Sequence, residues 1–178
     1  MVYKFRAILD AEEDIFRDIA IRNDDTLEDL HNALVNAFDF DGSEMASFYT
    51  CDDKWNQEEE IPLFDTGDVA GEQKVMADYT LSSILDEDQT KIIYVYDFMN
   101  MWTFLVELAA IEEETVGETY PAMLFSHGIM PIDAGEKEFE AENAMDFDDE
   151  DGYDDEDLDE FGEHDGNFED YGFEENWN

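Results

Sequence analysis

The two stretches KIIYVYDF (residues 91–98) and WTFLVELAAI (residues 102–111), separated only by Met99-Asn100-Met101, decide the fold. In the first, Tyr94, Tyr96 and Phe98 alternate with Ile93 and Val95. In the second, Trp102, Phe104, Val106 and Leu108 alternate with Leu105. A period of two with β-branched and aromatic residues on both faces predicts a hairpin buried on both sides, hence central strands of a sheet. Working outward, Val2–Leu9 alternates with Tyr3, Phe5, Ala7 and Leu9 on one face. After the acidic turn at residues 10–14, Ile15–Arg22 brings Ile15, Ile19 and Ile21 together, which predicts a second hairpin. Met45–Thr50 reads as a further strand.

Between them, Leu27, Leu30, Leu34 and Phe38 recur at helical spacing. Thr26 stands at the N-cap with Asp29 three residues on, and the helix is expected to end near Asp39 to Gly42, with Gly42 as its stop. Thr80 is placed to cap a short turn bearing Leu81, Ile84 and Leu85. The stretch 51–78 is acidic and glycine-bearing and predicts a mobile excursion pinned only at Ile61–Phe64. Residues 120–135, with Pro121 and Pro131, predict an extended cover. The order of elements predicts an α+β fold: a β-grasp-like mixed sheet of about five strands packed on one main helix.

Charge locates the boundary. The chain of 178 residues carries 52 Asp and Glu against 8 Lys and Arg, a formal net charge of -44. Residues 1–136 hold 32 acidic and 7 basic residues, and residues 137–178 hold 20 and 1. The second segment has rings (Phe139, Phe147, Tyr153, Phe161, Phe168, Tyr171, Phe173, Trp177) but almost no aliphatic residue besides Leu158. Repelling carboxylates between the rings prevent burial from offsetting chain entropy, so 137–178 reads as a disordered acidic tail beside a folded domain at 1–136. Seven scattered cations in that domain make no basic stripe, which excludes direct binding of nucleic acid. Anionic membrane surfaces are repelled likewise, and no apolar run is long enough to span a bilayer. A single cysteine, Cys51, excludes an internal disulfide; without a secretory or transit pattern at its start, the expected location is the cytoplasm.

Three segments resemble the plasmid pRiA4b ORF-3-like family of small bacterial and archaeal proteins. Thr26-Leu27-Glu28-Asp29-Leu30-His31, running on to Ala37-Phe38, is similar to that family's helix with its Leu-His pair. Tyr94-Val95-Tyr96-Asp97-Phe98 followed by Trp102, Phe104 and Glu107 resembles its hairpin. Tyr120-Pro121-Ala122-Met123 with Met130-Pro131-Ile132-Asp133-Ala134-Gly135 resembles its closing segment. The resemblance spans about residues 2–135. Where the family usually has glycine and aspartate after Tyr-Asp-Phe, this chain has Met99 and Asn100; where it usually has histidine, this chain has Phe104. Its usual cysteine and paired prolines are thinned to Met130 and Pro131. The resemblance implies the fold and a replacement of polar positions by packing residues; it implies no reaction, because the family has no settled activity.

Site chemistry is sparse. Of three histidines, His31 sits beside the helix's apolar stripe and is expected to pack with one hydrogen bond. His127 follows Ser126 too closely to face it as base to nucleophile, and His164 lies in the tail. Asp52 and Asp53 beside Cys51 disfavour its thiolate. Gly67–Lys74 lacks phosphate-loop spacing. Aligning Gly152 as the glycine of a calcium loop puts Phe147 and Leu158 where carboxylates are required, so no metal site is expected, and no cofactor motif is present. Two functions remain. One is a non-catalytic module that binds a basic protein through its acidic surface and tail, the tail alternatively serving solubility or reflecting salt adaptation. The other is an unassigned enzyme at the 97–107 hairpin and the 120–135 segment, using Asp97, Asn100, Glu107 and Asp133. It requires those side chains to converge in one pocket.

Overall fold

The computed structural model describes residues 1–131. Seven strands form one sheet: β1 (Val2–Leu9), β2 (Phe16–Arg22), β3 (Ala46–Cys51), β4 (Gln57–Pro62), β5 (Lys91–Tyr96), β6 (Trp102–Glu112) and β7 (Ala122–His127). Their order across the sheet is β4-β3-β5-β6-β1-β2-β7. The 91–111 hairpin lies in the interior as its two-sided apolar pattern requires, with β6 the middle strand. Every pairing is antiparallel. The expected five-stranded, mixed, β-grasp-like sheet is therefore corrected to seven antiparallel strands in an α+β fold.

Both added strands are rims. In β4, Gln57–Glu60 are all exposed and only Ile61 and Pro62 are buried, so no alternation marks it in the sequence. It lies inside the stretch expected to be an excursion. β7 lies inside the expected cover; Pro121 precedes it by one residue, so no ladder donor is lost. Its Met123, Leu124 and Phe125 are exposed. The disordered-tail expectation for 137–178 falls outside the described residues.

One face of the sheet is the core side. Phe5, Ala7, Ile19, Phe48, Tyr94, Phe104 and Val106 are buried there together with Leu27, Leu30 and Leu34 of helix α1 (Leu27–Ala37). The capping box at its start forms as read: the Thr26 hydroxyl accepts from the Asp29 amide and the Asp29 carboxylate accepts from the Thr26 amide. Its stop is not Gly42 but Asp39, whose φ is 58°. The Asp39 amide donates to Asn36 O and the Phe40 amide to Val35 O, a Schellman ending with aspartate in the left-handed position. A short helix, α2 (Leu81–Ile84), begins after Thr80, whose hydroxyl makes no capping bond to the backbone. On the other face a smaller cluster gathers Cys51, Ile93 and Val95 with Tyr49, Trp55 and Leu105.

Candidate functional site

The hairpin turn uses its polar groups on itself. Asp97 is buried and has φ 59°, a conformation that aspartate tolerates. One carboxylate oxygen accepts from the Met99 amide at 3.0 Å, and the other from Asn100 Nδ2 at 2.6 Å. Asp97 and Asn100 thus meet, as a turn anchor. Glu107 stands far along β6, opposite Lys91 on β5 and Arg6 on β1, about 17 Å of strand from Trp102. Asp133 lies outside the described residues. Of the expected packing replacements, Phe104 is fully buried, whereas Met99 at the turn is 91% exposed and packs on nothing.

The histidines are also accounted for. His31 is buried, with Nδ1 2.8 Å from the Tyr94 hydroxyl, and burial pulls its pKa down to about 4. The same burial raises that of Tyr94. His127 ends β7, its ring stacked on Phe16 at 5.1 Å between centroids, and its neighbour Ser126 points to the other face of the strand. Cys51 is buried at the end of β3; desolvation, then Asp52, pushes its thiol up to about 11. In the glycine-bearing loop, the amides of Gly67 and Gly71 donate to the Asp65 carboxylate, so a phosphate would find them taken.

A different place on the sheet does gather unused chemistry. The core-facing register runs from Ile15, just before β2, to Arg17, Ile19 and Ile21 within it, and Arg17 is only 5% exposed. Its Nε donates to Ala37 O at 3.0 Å, at the carbonyl end of α1. Its Nη1 donates to Phe16 O at 2.9 Å and to His127 O at 2.7 Å. The guanidinium also lies 5.0 Å from the centroid of the Phe38 ring. Above it opens a cleft of about 490 Å³ whose walls are the Schellman turn Phe38-Asp39-Phe40, Trp102, and Gly128-Ile129-Met130-Pro131. Gly128 makes this closing wall possible: at φ 78°, a Cβ there would stand 2.7 Å from Asp14 O. Sequence reasoning passed over Arg17, yet a signal was present, since a cation fills the one gap in the Ile15, Ile19, Ile21 face.

The surface is the second feature. Residues 1–131 contain 30 Asp and Glu and 7 Lys and Arg. Among the described residues, ion pairs engage only Asp18, Glu112 and Glu114. On the β4 rim Glu58, Glu59 and Glu60 are all exposed. No described helix is long and apolar enough to cross a membrane.

Comparison with solved structures finds the same fold in a protein of unknown function, MM3350 from Methanosarcina mazei Go1. The TM-score is 0.60 at 23% identity, over 70% of this chain and 68% of that one. At that identity the likeness carries the fold alone. No curated protein matches the chain. The family described as plasmid pRiA4b ORF-3-like protein matches residues 2–177, reaching past the 2–135 over which the sequence resemblance was drawn. With the helix, the central hairpin and nearly the whole length in agreement, the chain belongs to the plasmid pRiA4b ORF-3-like family.

Proposed function

We propose that this protein is a non-catalytic interaction module of the cytoplasm that takes a basic protein partner. The acidic surface of the folded domain would steer it, and the carboxylates and rings of residues 137–178 would add contact. One observation supports this reading: of 30 carboxylates in residues 1–131, only three are engaged in ion pairs among the described residues. A dense, unneutralised negative field raises the encounter rate with cationic partners and rejects anionic ones. The competing enzyme reading has no comparable support, because the Asp97 carboxylate is committed to its own turn and Glu107 lies well along β6.

The test uses the full-length chain and a fluorescent lysine- and arginine-rich peptide, with an acidic peptide as control. Binding of the basic peptide alone, weakening steeply as salt rises, is expected. The double substitution Glu58→Lys with Glu59→Lys should weaken it further. Affinity for the basic peptide that salt does not alter, or no binding at low salt, would leave the acidity as a solubility device. Mass spectrometry of proteins captured at low ionic strength then names the partner.

A further inference from the structure

We propose that the cleft over Arg17 is a binding site for a small zwitterion of the amino-acid class, with its carboxylate on Arg17, its ammonium group toward Asp39, and an apolar side chain against Phe40 and Trp102.

The cation comes first. A guanidinium has five N–H donors. Three of those of Arg17 go to the carbonyls of Phe16, Ala37 and His127. Those carbonyls come from β2, the end of α1 and the end of β7, so three elements hold the group in one orientation. Nη2 makes no hydrogen bond with the described residues, and no buried side-chain nitrogen among them lacks a partner. Nη2 therefore reaches solvent, and the cleft that Arg17 lines is its outlet. Capping the helix end explains Nε and leaves those two donors unexplained. In a chain of net charge -44, Arg17 forms no ion pair among the described residues, although residues 1–131 hold 30 carboxylates against 7 Lys and Arg. The two N–H groups left on Nη2 diverge, so this fixed, nearly buried guanidinium offers a carboxylate oxygen a single charge-assisted hydrogen bond rather than a parallel fork.

The rest of the cleft sets the ligand's charge. Arg17 is the single cation lining it, which suits one negative charge rather than a phosphate dianion. Asp39 lines the same cleft without pairing to Arg17. A plain anion would meet both Asp39 and the repulsion of the whole molecule, whereas a neutral zwitterion satisfies the two opposite charges together. Phe40 and Trp102, with ring centroids 5.9 Å apart, supply apolar wall, and about 490 Å³ is ample for an amino acid.

The experiment titrates the isotope-labelled full-length protein with L-phenylalanine, 3-phenylpropionate and 2-phenylethylamine, following the Trp102 indole and Gly128 amide signals. Saturable shifts with phenylalanine are expected, weaker by about tenfold or more with phenylpropionate, and none with the amine. Asp39→Asn keeps a residue that tolerates the left-handed turn. It should lower phenylalanine affinity by about tenfold while leaving phenylpropionate as tight or tighter. Arg17→Lys, checked by thermal unfolding to be folded, should abolish the shifts with both carboxylates. Equal affinity for phenylalanine and phenylpropionate overturns the proposal. So does the absence of saturable shifts, an Asp39→Asn variant that binds phenylalanine as the parent does, or shifts that survive Arg17→Lys.

Discussion

His31 Nδ1 and the Tyr94 hydroxyl meet at 2.8 Å beneath α1, the helix and β5 joined through their polar atoms inside an apolar core. Burial holds the imidazole pKa near 4, below its ordinary value of 6.5. The unfolded chain therefore takes up a proton at a higher pH than the folded one, and this contribution to stability disappears as pH falls from about 6.5 toward 4. The destabilisation caused by His31→Gln should be largest at pH 7 and shrink by ~2 kcal/mol at pH 5. Urea unfolding of both proteins at the two pH values measures it. An unchanged difference refutes a neutral, buried imidazole.

Asp97 anchors the β5–β6 turn, and its substitution should act on stability. Asp97→Ala loses both carboxylate acceptors and strains a position at φ 59°, for a cost of about 2 kcal/mol; Asp97→Asn, which keeps one acceptor, should cost about half of that. Equal costs for the two would mean that the side-chain bonds contribute nothing.

Gly128 closes the cleft by passing against Asp14 and Ile15. Gly128→Ala puts a Cβ 2.7 Å from a backbone oxygen at φ 78° and should destabilise by about 2 kcal/mol or more. A melting temperature equal to the parent's would show that this wall yields freely.

Cys51 is buried, with its thiol pushed up to about 11. Alkylation by iodoacetamide at pH 8 should run at least ~100-fold slower in the native protein than in urea. Comparable rates would place the sulfur at the surface.

The capping box predicts that Thr26→Ala costs about 1 kcal/mol, read as a fall of about 3 °C in melting temperature.

What the sequence made legible follows from where side chains face. Strand β5, buried on both sides, β6, with Phe104, Val106 and Leu108 buried on one, and α1, with Leu27, Leu30 and Leu34 inward, print their period directly. The rims do not. Glu58, Glu59 and Glu60 in β4 are exposed and held by backbone pairing to β3, so composition suggests a loop where a strand exists. In β7 the adjacent Met123, Leu124 and Phe125 are all exposed, a run without alternation. Asp39 ended the helix in place of Gly42 because an Asn or Asp can occupy a left-handed position that glycine usually fills. Arg17 was hidden by the assumption that a face of isoleucines stays apolar. Only the three-dimensional meeting of β2, the end of α1 and the end of β7 shows why a cation can stand there.

The two rims of the sheet are dressed unlike each other, carboxylates along β4 and methionine, leucine and phenylalanine along β7. Antiparallel sheets become endless ribbons when either flank accepts a newcomer of the same kind. Here one flank repels its own likeness, so growth of a ribbon through β4 meeting β4 is disfavoured by the carboxylates it would bring together.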